Sequence, residues 1–359
     1  MTRKMILVGA GGFGGHWCAH FLPPNMEDGV IEVVAAVDIN PDALQNARKY
    51  LGLRDDQCFT DVARAFDTVR ADFCAVVVPP AIHEQVVDLA LAHDMHILSE
   101  KPIADTLEAA VRVADKVKRA GKKMAVTMSH RFDQDKTTLR AELRSGRYGR
   151  LDYLICALTT DCRKYGAMGF RHEMVDPLMV EAAIHHLDLL ADLAGAPCQT
   201  IYAQTWNPPW GEYTGDSQGL ALLRFGNGAR AMYEGAFTNA VGLYGWTRDY
   251  FRAECEGATF VLDHRRLERF LYDPSRTWAD GLPGQGEEVP LIQQPKWSNA
   301  WLIEQFVQWL DGGEPMATNV EDNLQSMALV FAAIESSRND RPVDVQALLA
   351  TARTAVAAA

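Results

Sequence analysis

Three groupings in this sequence carry side chains or backbone suited to chemistry. Gly9-Ala10-Gly11-Gly12-Phe13-Gly14 follows a short apolar run, Lys101 stands in Ser99-Glu100-Lys101-Pro102, and Glu181, His185 and Asp188 are spaced by four and three. A G-x-G-x-x-G turn between a strand and a helix suits a pyrophosphate. Its oxygens must approach backbone N–H groups at a helix N-terminus, and any Cβ would block them. Alone the hexapeptide is no more than a glycine-rich turn. Asp38 strengthens it, because it closes the next apolar run, where a carboxylate accepts from ribose hydroxyls. Its charge opposes a 2′-phosphate and no Arg immediately follows, so the expected cofactor is NAD rather than NADP. Lys101 ends another strand of that series, and ligands of such sheets bind beyond the carboxyl ends of the strands. That places Lys101 near a nicotinamide ring, against the plainer reading of a solvated lysine before a loop proline.

Glu181, His185 and Asp188 share one face of a helix whose other residues (Leu178, Val180, Ile184, Leu187, Leu190) are apolar. Titratable groups on such a helix need partners or a wet cavity. The spacing admits a catalytic set, an internal ion cluster or a metal site. Against metal stands the lack of the paired Glu-x-x-His motifs of di-metal bundles, and the expectation is no metal. Neighbouring His186 is expected to pack or hydrogen-bond away from the reaction.

The elements that must position these groups read as α/β. Residues 4–8, 31–37, 73–78, 96–98 and 123–128 are strand-like, with helices at 84–92 and 107–120 and another starting at Asn40-Pro41. Strands alternating with helices imply a parallel sheet covered on both faces. The interval from Gly14 to Asp38 is slightly long, and residues 22–29 are expected to be a surface insertion. From Leu151 the texture changes. Residues 220–225 and 229–237 flank Gly226-Asn227-Gly228, and 250–255 and 258–262 flank Glu256-Gly257, followed by a run at 267–272; these are hairpin signatures of an antiparallel sheet. Residues 273–296 are expected to form a long loop. Helices are expected at 298–310, 320–337 and beyond Val345. The expected domains are 1–128 and 129–359, with the C-terminal helices free to return to the first.

At 359 residues the chain is long enough for two domains. With 48% hydrophobic and 23% charged residues it has the composition of a globular protein. Thirty-five basic against 47 acidic residues leave a net charge of −12, which argues against nucleic acid or an anionic membrane as partner. Residues 5–25 carry no charged side chain, but five glycines and Pro23-Pro24 interrupt them, so no export signal is expected. Seven scattered cysteines without a C-x-x-C pair point to reduced thiols, a cytoplasmic location and no zinc site.

The order of motifs resembles the glucose–fructose oxidoreductase / inositol dehydrogenase / rhizopine-catabolism (Gfo/Idh/MocA) oxidoreductases. The carrying segments are the glycine turn, Pro79-Pro80-Ala81-Ile82-His83, HILSEKP, Ser145-Gly146-Arg147-Tyr148-Gly149, EAAIHHLD over residues 181–188 and Arg341-Pro342-Val343. The resemblance implies a Rossmann domain, then an α+β domain with an open, mainly antiparallel sheet serving homodimer or homotetramer assembly. It extends the cofactor set of Gly9, Gly11, Gly12, Phe13, Gly14, Asp38 and Lys101 to Pro79, His83 and Glu100. It also implies a catalytic Lys and an Asp-x-x-x-His pair, which fall on Lys101 and His185. Glu181 stands where the family has Asp, a departure that lengthens the side chain by one methylene.

The chemistry implied is hydride transfer between NAD and a secondary hydroxyl of a sugar, inositol or other polyol. A histidine titrating near ~6.5 suits the hydroxyl proton and an ammonium suits the oxygen left behind. Arg131, Arg163, Tyr165 and His185 are the candidate substrate contacts, and the tryptophans of the second domain, Trp246 among them, are candidates for stacking on sugar faces. Two further readings use the same residues: a glycoside-cleaving enzyme that oxidises its sugar transiently, and a non-catalytic NAD or sugar sensor.

Overall fold

A computed structural model describes every residue except Met1, Ala167 and Ala359. The chain divides into two units, Met1–Phe132 with Pro295–Met327 and Thr351–Ala359, and Asp133–Gln294 with Ala328–Ala350.

The first unit is built on six parallel strands: β1 (Arg3–Val8), β2 (Ile31–Val37), β3 (Cys58–Phe59), β4 (Phe73–Val76), β5 (His96–Ser99) and β6 (Met124–Val126). Their order is β3-β2-β1-β4-β5-β6. β4 throughout and β1 from Met5 to Val8 are apolar and buried, because both faces of the sheet centre are covered. Helix Leu107–Arg119 starts where Thr106 Oγ1 accepts from the Ala109 N–H at 3.2 Å. Helix Pro80–Ala92 opens on a proline, whose fixed φ suits the first turn.

Two local expectations are corrected. Residues 22–29 are not a surface insertion. Leu22–Glu27 is helical and continues a π-helical turn at Trp17–Phe21, and Leu22 and Asn25 are buried. Asn25 Nδ2 donates to the Ala300 carbonyl at 3.0 Å, which ties this run to helix Ser298–Leu310, and Phe306 of that helix meets Phe73 of β4 edge-on. The helix expected at Asn40 begins at Leu44, because Asn40 Oδ1 accepts from the Asp42 N–H and closes a turn first.

Among its described residues the second unit carries nine strands: β7 (Leu151–Thr159), β8 (Cys198–Trp206), β9 (Gln218–Phe225), β10 (Arg230–Ala236), β11 (Tyr250–Cys255), β12 (Ala258–Asp263), β13 (Arg266–Leu271), β14 (Glu287–Glu288) and β15 (Val343–Asp344). They run in the order β14-β13-β12-β11-β7-β10-β9-β8-β15. All pairs are antiparallel except β7 with β10, so the sheet is mixed. Alternation in β9 sends Ala221 and Leu223 inward and leaves Leu220 and Leu222 exposed. Residues 273–294 are loop apart from a 3₁₀ turn at Trp278–Asp280 and β14. All seven cysteines are free, and burial pushes the Cys18, Cys74 and Cys198 thiols up to about 12. Among the described residues, no helix is long and apolar enough to cross a membrane.

Candidate active site

The carboxyl ends of β1, β2, β4 and β5 share one edge of the first unit's sheet. Here the strand order switches direction between β1 and β4, which opens a crevice in a parallel sheet. Gly9 leaves β1 with φ +100°, and its N–H donates to Val37 O at 2.8 Å. A Cβ on Gly9 would collide with the Val77 carbonyl, and one on Gly14 with the Gly9 carbonyl. Those two glycines let the turn close on itself. Gly12 is different. Its φ is +50° and nothing lies within 4 Å of where a Cβ would stand, so it opens onto free space. Gly11 has Ala43 Cβ at 3.1 Å and Asp38 Oδ2 at 3.4 Å from that point. A cradle bounded by Gly11 and Gly12, at the start of a helical run over residues 13–27, fits a dinucleotide pyrophosphate.

Asp38 is already oriented towards this turn. Its Oδ2 accepts from the Ala10 and Gly11 N–H groups at 2.8 and 2.9 Å, and its Oδ1 accepts from Asn40 N–H at 2.9 Å. Phe13 is half exposed beside His16 and Phe21. Pro79 caps helix Pro80–Ala92. His83, by contrast, points into the unit. Its Nε2 is 2.8 Å from Val78 O and its Nδ1 is 3.3 Å from Ile103 O; burial lowers its pKa, and these carbonyls oppose the shift. Glu100 is also turned inward. Trp17 Nε1 donates to its Oε1 at 2.9 Å and Asn299 Nδ2 reaches the same atom at 3.4 Å. Burial pushes its carboxyl up, against the pull of the Lys101 charge. His83 and Glu100 thus brace the strand ends behind the crevice, while Lys101 follows at the end of β5 through a cis Lys101–Pro102 bond. Arg131 is buried in the same unit, with its guanidinium 3.4 Å from Ala317 O and 3.5 Å from Asp322 Oδ2.

In the second unit Glu181 and His185 lie on either side of a helical transition. Leu178–Ala183 forms a π turn, which passes into α-helix Ile184–Ala194. The wider turn rotates Glu181 relative to His185 from the placement a regular α-helix gives at i and i+4. Glu181 Oε2 accepts from Arg171 Nε at 2.7 Å. The His185 ring is 4% exposed and meets the edge of Trp246 at 5.2 Å. Asp188 is buried one turn further on.

His186 is fully buried, with Nδ1 on the Ala182 carbonyl at 3.1 Å and Nε2 3.3 Å from Asp249 Oδ2. Asp249 Oδ1 accepts from Lys136 Nζ at 2.6 Å, and Asp135 Oδ2 accepts from the same ammonium at 3.0 Å. Arg163 pairs with Asp161 at 2.8 Å and donates to the Asn239 carbonyl at 2.6 Å. Tyr165 is exposed and donates to Glu173 Oε1 at 2.6 Å.

The structure thus brings Gly9, Gly11, Gly12, Gly14, Asp38, Pro79 and Lys101 to one sheet edge, and Glu181 and His185 to one helix. The ion cluster on Lys136 and the Arg171 partner of Glu181 escaped the sequence reading. Neither has a periodic signal, since Lys136 and Asp249 are 113 residues apart and Arg171 reaches Glu181 across an irregular loop.

Residues 3–128 match the model of an oxidoreductase family with an NAD-binding Rossmann fold, and residues 143–345 match that family's C-terminal alpha/beta domain. An uncharacterised protein of Sinorhizobium fredii is 55% identical over 98% of both chains. The scyllo-inositol 2-dehydrogenase (NAD(+)) of Bacillus subtilis is 24% identical over 76% of this chain and 78% of its own. An oxidoreductase from Agrobacterium radiobacter, crystallised with NAD+, L-tartaric acid and magnesium, has the same fold. Its TM-score is 0.81 at 21% identity, covering 97% of this chain and 100% of that one. Matched along both of its domains, the chain belongs to the Gfo/Idh/MocA family of NAD-binding oxidoreductases.

Proposed function

We propose that this protein is a dehydrogenase that moves a hydride between NAD and a secondary hydroxyl of a sugar, inositol or related polyol. The observation that carries the reading is the single sheet edge holding the Gly11–Gly12 cradle, Asp38 and Lys101. Asp38 orients the ribose, and Gly11 and Gly12 admit the pyrophosphate. NAD, when bound, supplies the hydride acceptor. His185 takes the hydroxyl proton as the C–H electron pair leaves, and the Lys101 ammonium stabilises the oxygen that is becoming a carbonyl. In the reverse direction the same imidazolium returns the proton. Glu181 acts through Arg171, so its role is in positioning. Arg131, whose guanidinium is engaged by Asp322, supports the fold rather than the substrate, whereas Arg163 and Tyr165 lie on the segment that carries Arg171.

Support for the substrate class comes from relatives named inositol, apiose and glucoside dehydrogenases. The test is a panel of sugars and polyols with NAD and NADP, followed by absorbance of the reduced cofactor. Net NADH from a free polyol is the expected result, and release of an aglycone without net NADH would replace the reading with glycoside cleavage. Lys101→Ala is expected to lower kcat by roughly 10²–10⁴-fold while NAD still binds. Unchanged turnover in that variant removes Lys101 from the chemistry. We assign self-association as a homodimer or homotetramer to the open face of the nine-stranded sheet, where Leu220, Leu222 and Met232 are exposed; light scattering on the purified protein checks it. A cytoplasmic location suits the seven free thiols.

A further inference from the structure

We infer that Arg171, held by Glu181 on the turn before His185, is a carboxylate-binding fork, so that the substrate is a hydroxy acid of the sugar or polyol class and not its neutral counterpart. This rests on the reading of His185 as the reacting base.

A guanidinium can hold a carboxylate end-on through its two Nη groups or side-on through Nε and one Nη. The side-on edge of Arg171 is occupied, since Nε donates to Glu181 Oε2 at 2.7 Å. One face is covered by the Phe170 ring, 4.8 Å from the guanidinium carbon. Among the described residues no partner takes Nη1 or Nη2, and the side chain is 33% exposed. The end-on edge is therefore presented to solvent by a side chain fixed at Nε and supported on one face.

Its place is set by Glu181, only 9% exposed, on the turn before His185. Glu reaches one methylene further than Asp, which lets an interior helix position hold an arginine of the preceding loop. The acidic side chains of that loop are engaged elsewhere, Asp161 with Arg163, Glu173 with Tyr165 and Asp176 with Arg338, as is Glu212 of the segment after β8 with Lys164. An anion on the Nη edge lies on the far side of the guanidinium from Glu181, so it meets the positive charge at shorter range than the negative one. Two parallel N–H donors match a planar carboxylate better than a hydroxyl, which uses one of them.

The experiment uses matched pairs, D-gluconate with D-glucitol and D-glucuronate with D-glucose. Each is tested by NADH formation and by calorimetric binding to the protein saturated with NADH. The wild type is expected to favour the acid of each pair by about tenfold or more in affinity or kcat/KM. Arg171→Gln should lower the acid-to-neutral ratio by roughly 10–100-fold, mainly through KM, and Arg171→Lys, which keeps the charge without the fork, should fall between them. NADH binding and thermal unfolding of both variants report on folding. Equal binding of acid and neutral partners by the wild type overturns the inference, as does an unchanged ratio in Arg171→Gln or tighter binding of inorganic phosphate than of the acids. Acid binding that depends on Arg171, without any NADH formed, sustains the fork and sinks the assigned reaction instead.

Discussion

The same substitution has different consequences at Gly9 and Gly12. Gly9→Ala drives a methyl into the Val77 carbonyl at a backbone with φ +100°, so the strand end must shift. The expected loss is about 3 kcal/mol or more in denaturant unfolding. Gly12→Ala meets no atom, but its backbone at φ +50° and ψ −120° lies outside the left-handed helical region and suits glycine, so the change costs about 1–3 kcal/mol. The variant should fold, yet its methyl occupies the cradle, and NAD affinity should fall by roughly tenfold or more by fluorescence titration. NAD binding retained in Gly12→Ala would move the pyrophosphate off this turn. At this scale the sequence was legible where chemistry is local. The glycine turn, Asp38 and Lys101 each announce themselves within a few residues of a strand end. Arg171 does not, because its meaning comes from Glu181 ten positions later across an irregular loop. The inward turn of Glu100 was hidden for the same reason, its partners Trp17 and Asn299 being remote in sequence.

Elements were legible to the extent that burial imposed a period. The parallel strands of the first unit and the hairpins of the second show one, because each has a face or two that must be apolar. The parallel pairing of β10 with β7 does not, since alternation within a strand carries no information on its neighbour's direction. The π turn at 178–183 is likewise invisible to a 3.6-residue pattern. One feature at this scale joins two elements through buried charge. Helix Gln134–Arg144 sends Lys136 to Asp249 at the entry to β11, and Asp249 in turn faces His186 on the helix that carries His185. Burial pulls the Lys136 ammonium down, but Asp249 and Asp135 more than reverse this and it is raised. Lys136→Met removes the cation and leaves carboxylates in a dry site, so it should cost about 3–5 kcal/mol. The double variant Lys136→Met/Asp249→Asn should cost less than the sum of the two single changes, because it removes both charges of one pair. A double-mutant cycle by urea unfolding reads the coupling, and strict additivity would show that the two groups stand independently.

For the whole chain, acid stability follows from which titrating groups are buried. His96 is half-buried at the start of β5 and accepts from the Lys123 N–H at 2.9 Å, so it is held neutral. Burial, then Lys122 and Lys123, lower its pKa from 6.5 to about 4. Between those values the unfolded chain binds a proton that the folded chain refuses, so stability falls as pH drops through this window. After allowance for solvent screening the loss is about 1–2 kcal/mol. His93 acts in the opposite sense. Its hydrogen bond to Asp67 raises its pKa, so its contribution is present at low pH and lost as pH rises through the folded value. That pair is at the surface, with Asp67 74% exposed, and its contribution is the smaller of the two. Below pH 4.5 a second loss begins, as Glu84, lowered to about 2 by its hydrogen bonds to Arg112 and Lys116, is protonated in the unfolded chain first. Thermal unfolding should therefore move down from pH 7 to 4 and more steeply below. His96→Asn keeps a carbonyl oxygen to accept from the Lys123 N–H and removes the titration, so it should flatten the limb between pH 6.5 and 4 and leave the lower one in place. A limb between 6.5 and 4 that is equally steep in that variant would assign the early acid loss to a group other than His96.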